Sequence, residues 1–226
     1  MLWEDRCMMG LDRALIEKTE QFLYESFAKK KNEEKTSADA AYRMEHSYRV
    51  ANIGRSIAEK EGLDETCMVI ACLLHDVAYS CDLSTPEEFR GHGRLSAQMA
   101  RPFLQALGLT EEQINDICYA IAIHVDDEAD FEWHRSVFAE TVSDADNIDR
   151  FDAYRIYEGL YYANFHEITL EEKKRKVDST LLQLEKLKDF PMATAAAKEM
   201  WQQRLSFYTA FYERMGNQLS NSNGID

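Results

Sequence analysis

Turn-forming residues are scarce in this chain: 3 Pro and 9 Gly in 226 residues. That is little raw material for the many tight turns of an all-β fold. Basic residues are also in deficit, 26 Lys and Arg against 41 Asp and Glu, for a net charge of −15. A surface so negative argues against broad nucleic-acid binding and against attachment to an anionic membrane. No apolar run approaches the ~20 residues that span a bilayer. The start, Met1-Leu2-Trp3-Glu4-Asp5-Arg6, lacks the basic residues and apolar run of a signal peptide. Cys7, Cys67, Cys72, Cys81 and Cys118 are odd in number and show no C-x-x-C spacing. They read as reduced thiols, with Cys72 and Cys118 in the core. The expectation is a cytoplasmic protein with neither a nucleic-acid nor a membrane partner.

What the chain does hold is helix after helix. Residues 11–31 are expected to form a first amphipathic helix, followed by a lysine-rich link from Lys29 to Thr36. A second helix is expected from about Asp39 to Gly62, where Gly62 serves as the C-terminal cap. Its apolar stripe, Val50, Ile53 and Ile57, extends back one turn to His46. A helix from about 65 to 79 is apolar all round, which places it in a core. Thr85-Pro86-Glu87-Glu88 reads as a capped helix start. Further helices are expected at 92–107, after Thr110-Glu111-Glu112-Gln113, and at 135–152. Leu170, Val177, Leu181, Leu184 and Leu187 follow a Thr169-x-x-Glu172 cap. Beyond Pro191, Ala197, Trp201, Tyr208, Phe211 and Met215 continue in a last helix. These two segments predict an antiparallel helical hairpin over 169–216, with a disordered tail after Gly216. The fold class is therefore all-α, and the chain reads as one domain over 1–226.

The chemistry begins at His75 and Asp76, which interrupt Met68-Val69-Ile70-Ala71-Cys72-Leu73-Leu74. A carboxylate and an imidazole placed in such a run are costly unless something compensates them, and a metal ion does so. Adjacent helical residues point about 100° apart. The pair therefore shares an ion only if that ion sits in a groove over the helix, with other helices supplying ligands. His46 and Asp146 meet that demand, each on the extension of an apolar face. Asp144 points nearly the opposite way from Asp146, so only one of the two can be a ligand. His92 and His124 are further candidates, whereas His134 and His166 lie in polar surroundings and read as surface residues. Imidazole and carboxylate without thiolate suit Mn, Fe, Co, Ni or Mg better than structural zinc. Arg49, Arg94 and Arg150 are the candidate cations for a phosphate.

The ordered set His46 … His75-Asp76 … Asp146 resembles the H…HD…D signature of the HD-domain superfamily of metal-dependent phosphohydrolases. "MEHSYRVANIGRSIA" resembles the helix of its first histidine, "IACLLHDVA" the run into the HD pair, and "SDADNIDRFDA" its last aspartate element. The resemblance covers about 42–155 and leaves the C-terminal hairpin as an addition to the helical bundle. It implies that His46, His75, Asp76 and Asp146 bind a divalent ion, one ion more readily than two. His92 and His124 would then touch the substrate phosphate or donate a proton. In relatives with two metals, the order His, His-Asp, His, His, Asp supplies both ions, and this chain reproduces that order. The implied activity is hydrolysis of a phosphate ester or anhydride in a small molecule, plausibly a nucleotide. The alternatives are a dinuclear-iron oxygenase and a non-catalytic nucleotide or metal sensor. Some nucleotidase relatives carry a glutamate shortly after the HD pair; here Tyr79 and Ser80 stand there. The loops Ser80–Gly91 and Asp126–Glu132 are expected to form the rim.

Overall fold

The computed structural model describes residues 11–28 and 34–224. Ten α-helices and one 3-10 turn account for its regular structure, and no strand occurs among the described residues. In chain order the helices are α1 (Arg13–Ala28), α2 (Glu34–Glu61), α3 (Glu65–Leu74), α4 (Pro86–Arg90) and α5 (His92–Ala106). They continue with α6 (Glu111–Ile123), α7 (Val137–Asp149), α8 (Ala153–Tyr162), α9 (Leu170–Lys186) and α10 (Ala195–Ser220). Contacts divide the chain into two compact units, Met1–Asp146 and Asn147–Asp226.

In the first unit α3 is the central element. Every residue from Cys67 to Leu74 is buried, and full burial of each Val, Leu or Ile contributes about 1.5–3 kcal/mol. Helix α3 packs against α1, α2 and α6, and α5 packs against α6. The α2–α3 crossing is close because Gly54 has no side chain. A Cβ there would lie 2.6 Å from Cys72 Sγ and 3.3 Å from Met68 Cγ. Val50, Ile53 and Ile57 are buried as their spacing predicts, and the stripe carries His46 inward with them.

Several ends fall where the sequence places them. Gly62 and Gly108 adopt φ of 68° and 78°, the left-handed cap that glycine adopts without strain. Thr85, Thr110 and Thr169 each close a capping box. The link from Lys29 lies partly outside the described residues, and α2 is already helical at Glu34. The helix expected to run to Tyr79 ends at Leu74, and Val77–Ser80 form a separate 3-10 turn. Ser96 Oγ of α5 accepts the Ala78 N–H at 3.0 Å, and the chain turns away there.

In the second unit, α9 and α10 pack on each other as the expected hairpin. Helix α10 runs through Gly216 to Ser220, so the tail expected to be disordered is helical for four more residues. Helix α8, which the sequence reading did not separate from its neighbours, begins at an Asp152 cap. Arg204 fastens that junction, donating to the Ile148 and Phe151 carbonyls at 3.1 and 3.3 Å.

Candidate metal centre

The end of α3 at Leu74 changes how His75 and Asp76 point. His75 keeps helical dihedrals as the cap, whereas Asp76 sits at φ −107°, ψ 14°. The chain has left the helix, so the 100° separation of consecutive helical residues no longer applies, and both side chains meet the same cluster. His75 Nε2 lies 3.7 Å from Asp76 Oδ2 and 3.9 Å from Asp146 Oδ1. His46 Nε2 lies 3.2 Å from His75 Nε2, 3.1 Å from Asp146 Oδ1 and 3.7 Å from Asp76 Oδ2. His46, His75, Asp76 and Asp146 thus converge, each nearly or wholly buried.

Asp76 has a second face. Its Oδ1 lies 3.0 Å from His92 Nε2 and 3.7 Å from His124 Nε2, and those two nitrogens are 3.2 Å apart. One carboxylate therefore separates two groups of donors. Oδ2 faces His46 and His75; Oδ1 faces His92 and His124.

Three of the histidines are held by one device. Nδ1 of His75, His92 and His124 sits 2.7, 2.6 and 2.7 Å from the carbonyls of Cys72, Phe89 and Ile121. Each carbonyl belongs to the last turn of a helix, α3, α4 and α6, where carbonyls have no partner within the helix. A carbonyl can only accept, so Nδ1 carries the proton and Nε2 is left with its lone pair. This is the arrangement that orients a metal-binding imidazole. In the His92–His124 pair both Nε2 lone pairs then face each other across 3.2 Å. A cation between them, proton or metal, is what that geometry accommodates.

The electrostatics agree. Burial pushes His75 down to about 4 and keeps it neutral. Burial alone would raise Asp76, but the surrounding histidines hold it well below the usual carboxylate range. His124 is raised despite burial because the Asp76 carboxylate beside it favours positive charge on the ring. The donors therefore fit a divalent ion in two overlapping groups, His46–His75–Asp146 and His75–Asp76–His124.

Of the expected cations, Arg49 lies on α2 one turn beyond His46 and is half-buried. Arg94 faces the acidic loop instead, 2.9 Å from Asp126, 3.1 Å from Glu128 and 3.8 Å from Asp130. Arg150 is exposed in the second unit, just past α7. Asp144 is buried, and His134 and His166 are exposed. A cation that does reach the cluster is Arg43, which was not among the expected ones. Its Nη1 donates to Asp76 Oδ2 at 3.0 Å, and its guanidinium lies 3.5 Å from the Tyr79 ring centroid. The signal was available: Arg43 stands three residues before His46 and shares its helix face.

Comparison with known proteins agrees with this geometry. The HD domain matches residues 43–153, a span that starts at Arg43 and takes in His46, the His75-Asp76 pair, His92, His124 and Asp146. No curated protein matches the chain. Among solved structures, a predicted HD-superfamily hydrolase from an uncultured Thermotogales bacterium is 22% identical, with 92% of each chain covered and a TM-score of 0.61. An HD-superfamily hydrolase from Bacillus thuringiensis is 22% identical, covering 93% of this chain and 99% of that one, with a TM-score of 0.64. Bacillus subtilis YpgQ in complex with ADP is 19% identical, covering 91% and 95%, with a TM-score of 0.57. At these identities the likeness is one of fold. With the domain match and the ordered His and Asp residues lying on the same segment, residues 43–153 of the chain are identified as an HD domain.

Proposed function

We propose that the protein is a metal-dependent phosphohydrolase acting on a small phosphorylated molecule of the nucleotide class. The observation that carries this reading is the division of Asp76. Its Oδ2 joins His46, His75 and the Arg43 cation, and its Oδ1 joins His92 and His124. In this reading His46, His75, Asp76 and Asp146 hold one divalent ion, of the Mn, Fe, Co, Ni or Mg type. Such an ion lowers the pKa of a bound water and polarises a phosphoryl oxygen. Arg43 is fixed by Asp76 and remains about a quarter exposed, 24%, so it can meet a phosphate oxygen from the protein side. The ADP bound by YpgQ supports a nucleotide as the substrate class.

The sequence alone favoured one ion, with His92 and His124 touching the substrate phosphate or donating a proton. The matched geometry of those two histidines on Asp76 Oδ1 supports a second ion there instead. A proton donor presents an N–H to the substrate, whereas here two Nε2 lone pairs converge on one spot. The same feature supports a second reading, a dinuclear-iron oxygenase, but the part-exposed Arg43 cation on Asp76 suits an anionic substrate better. The test is phosphate release from nucleoside mono-, di- and triphosphates and from pyrophosphate, with Mn2+ or Co2+ supplied. Turnover is expected, and His75→Ala or Asp76→Ala should abolish it together with bound metal. Full turnover in either variant would sink the reading. Oxygen consumption by a form with two irons, without phosphate release, would favour the oxygenase.

A further inference from the structure

Helix α4 is built without a core. Its five residues, Pro86 to Arg90, include no buried side chain. Its shape comes from Pro86 in the first turn and from the capping box of Thr85 and Glu88, whose carboxylate also accepts the Ser84 N–H. The Phe89 ring is therefore not needed to form the helix, and it stands 46% exposed. An aromatic ring left in water is surface available to something else.

Its position is not arbitrary. The Phe89 carbonyl holds His92 Nδ1 at 2.6 Å, so Phe89 is tied through its backbone to the second donor group. Its ring lies 6.2 Å from the Tyr79 ring, tilted by 41°. Tyr79 in turn stacks under the Arg43 guanidinium at 3.5 Å and lies 4.8 Å from the His92 ring. Arg43 bonds Asp76 Oδ2. A continuous run of contacts, Phe89–Tyr79–Arg43–Asp76, thus leads from an exposed aromatic face to the cation and carboxylate at the cluster.

We propose that Phe89 is the platform on which the planar base of a nucleotide stacks, with Tyr79 holding both the platform and the phosphate-facing Arg43. The site then selects phosphates that carry an aromatic base over those that do not. This rests on the reading of the cluster as a phosphate site and adds the residue that sets its substrate class. Stacking of one base on an aromatic side chain contributes about 5- to 150-fold in affinity.

The test uses two probes that resist cleavage of the P–X–P bond, α,β-methylene-ADP and methylenediphosphonate, titrated calorimetrically into the Mn2+-loaded protein. The native protein should bind the nucleoside-bearing probe on the order of tenfold tighter or more. Phe89→Ala should remove most of that preference and leave methylenediphosphonate binding and Mn2+ content unchanged. Phe89→Trp should keep the preference, which a merely structural role for Phe89 would not predict. Equal binding of both probes by the native protein, or a preference that survives Phe89→Ala, overturns the platform and leaves the phosphate site standing. Binding of neither probe overturns both.

Discussion

His92 and Asp76 meet Nε2 to Oδ1 at 3.0 Å, while His46 and His75 approach the other carboxylate oxygen, Oδ2. That relationship makes His92 the residue whose removal separates the two donor groups. Native protein loaded with Mn2+ is expected to hold two ions per chain by elemental analysis. His92→Ala should hold one, at His46, His75, Asp76 and Asp146, while His75→Ala should lose at least that one. A single ion in native protein, undiminished in His92→Ala, would return His92 and His124 to the role of substrate contacts.

Gly93 offers a subtler way to disturb the same group. A Cβ there would lie 2.7 Å from the Ala122 carbonyl, 2.9 Å from the Ile121 carbonyl and 3.1 Å from His124 Nδ1. Two of these are backbone atoms, and Ile121 O is the acceptor that orients His124. Gly93→Ala should therefore force α5 and α6 apart, at a cost of about 1–3 kcal/mol. It should lower the ion content from two toward one and leave the His46 group loaded. A variant with native melting temperature and two ions would show that the crossing relaxes freely.

Ser47, next to His46 on α2, is fully buried, and its hydroxyl has no hydrogen-bond partner among the described residues. A buried hydroxyl without a partner is unfavourable, and alanine fits the same space. Ser47→Ala is expected to stabilise the protein by about 1 kcal/mol, roughly 2–4 °C in melting temperature for a chain of this size. Metal content should not change. A fall in melting temperature would mean that the hydroxyl is satisfied in solution.

How far the sequence could be read depends on what each residue answers to. His46 was legible because it continues the Val50–Ile53–Ile57 stripe, and helical periodicity extends one turn with little error. Helix starts at Thr85, Thr110 and Thr169 were legible because a capping box is local chemistry. The end of α3 was not. The run through Val77 and Ala78 is as apolar as what precedes it, and the turn is made by Ser96, eighteen residues away. Arg94 was misplaced for a similar reason: its neighbour His92 reaches the cluster, but its own partners are Asp126, Glu128 and Asp130 on a distant loop. Helix α8 was missed because it buries only Ile156 and Glu158, too little for a periodic core signal.

The cysteines supply a test of the core itself. Cys67, Cys72 and Cys118 are buried and Cys81 is exposed. Burial pushes Cys118 up to about 11 and holds Cys67 and Cys72 further above the ordinary thiol range. The thiolate is the reactive form, and a raised pKa leaves little of it at pH 8, so burial suppresses reaction both by access and by ionisation. In a Cys7→Ser background, which removes a thiol outside the described residues, one thiol per chain should react rapidly with an aromatic disulfide reagent. Cys81→Ser should abolish that fast phase, and denaturant should expose the remainder. Cys72 backs the crossing at Gly54, and its carbonyl holds His75. Its protection should therefore report on the frame behind the first ion. Rapid native reaction of a second thiol would show that this frame opens on the timescale of labelling, which a fixed His75 does not allow.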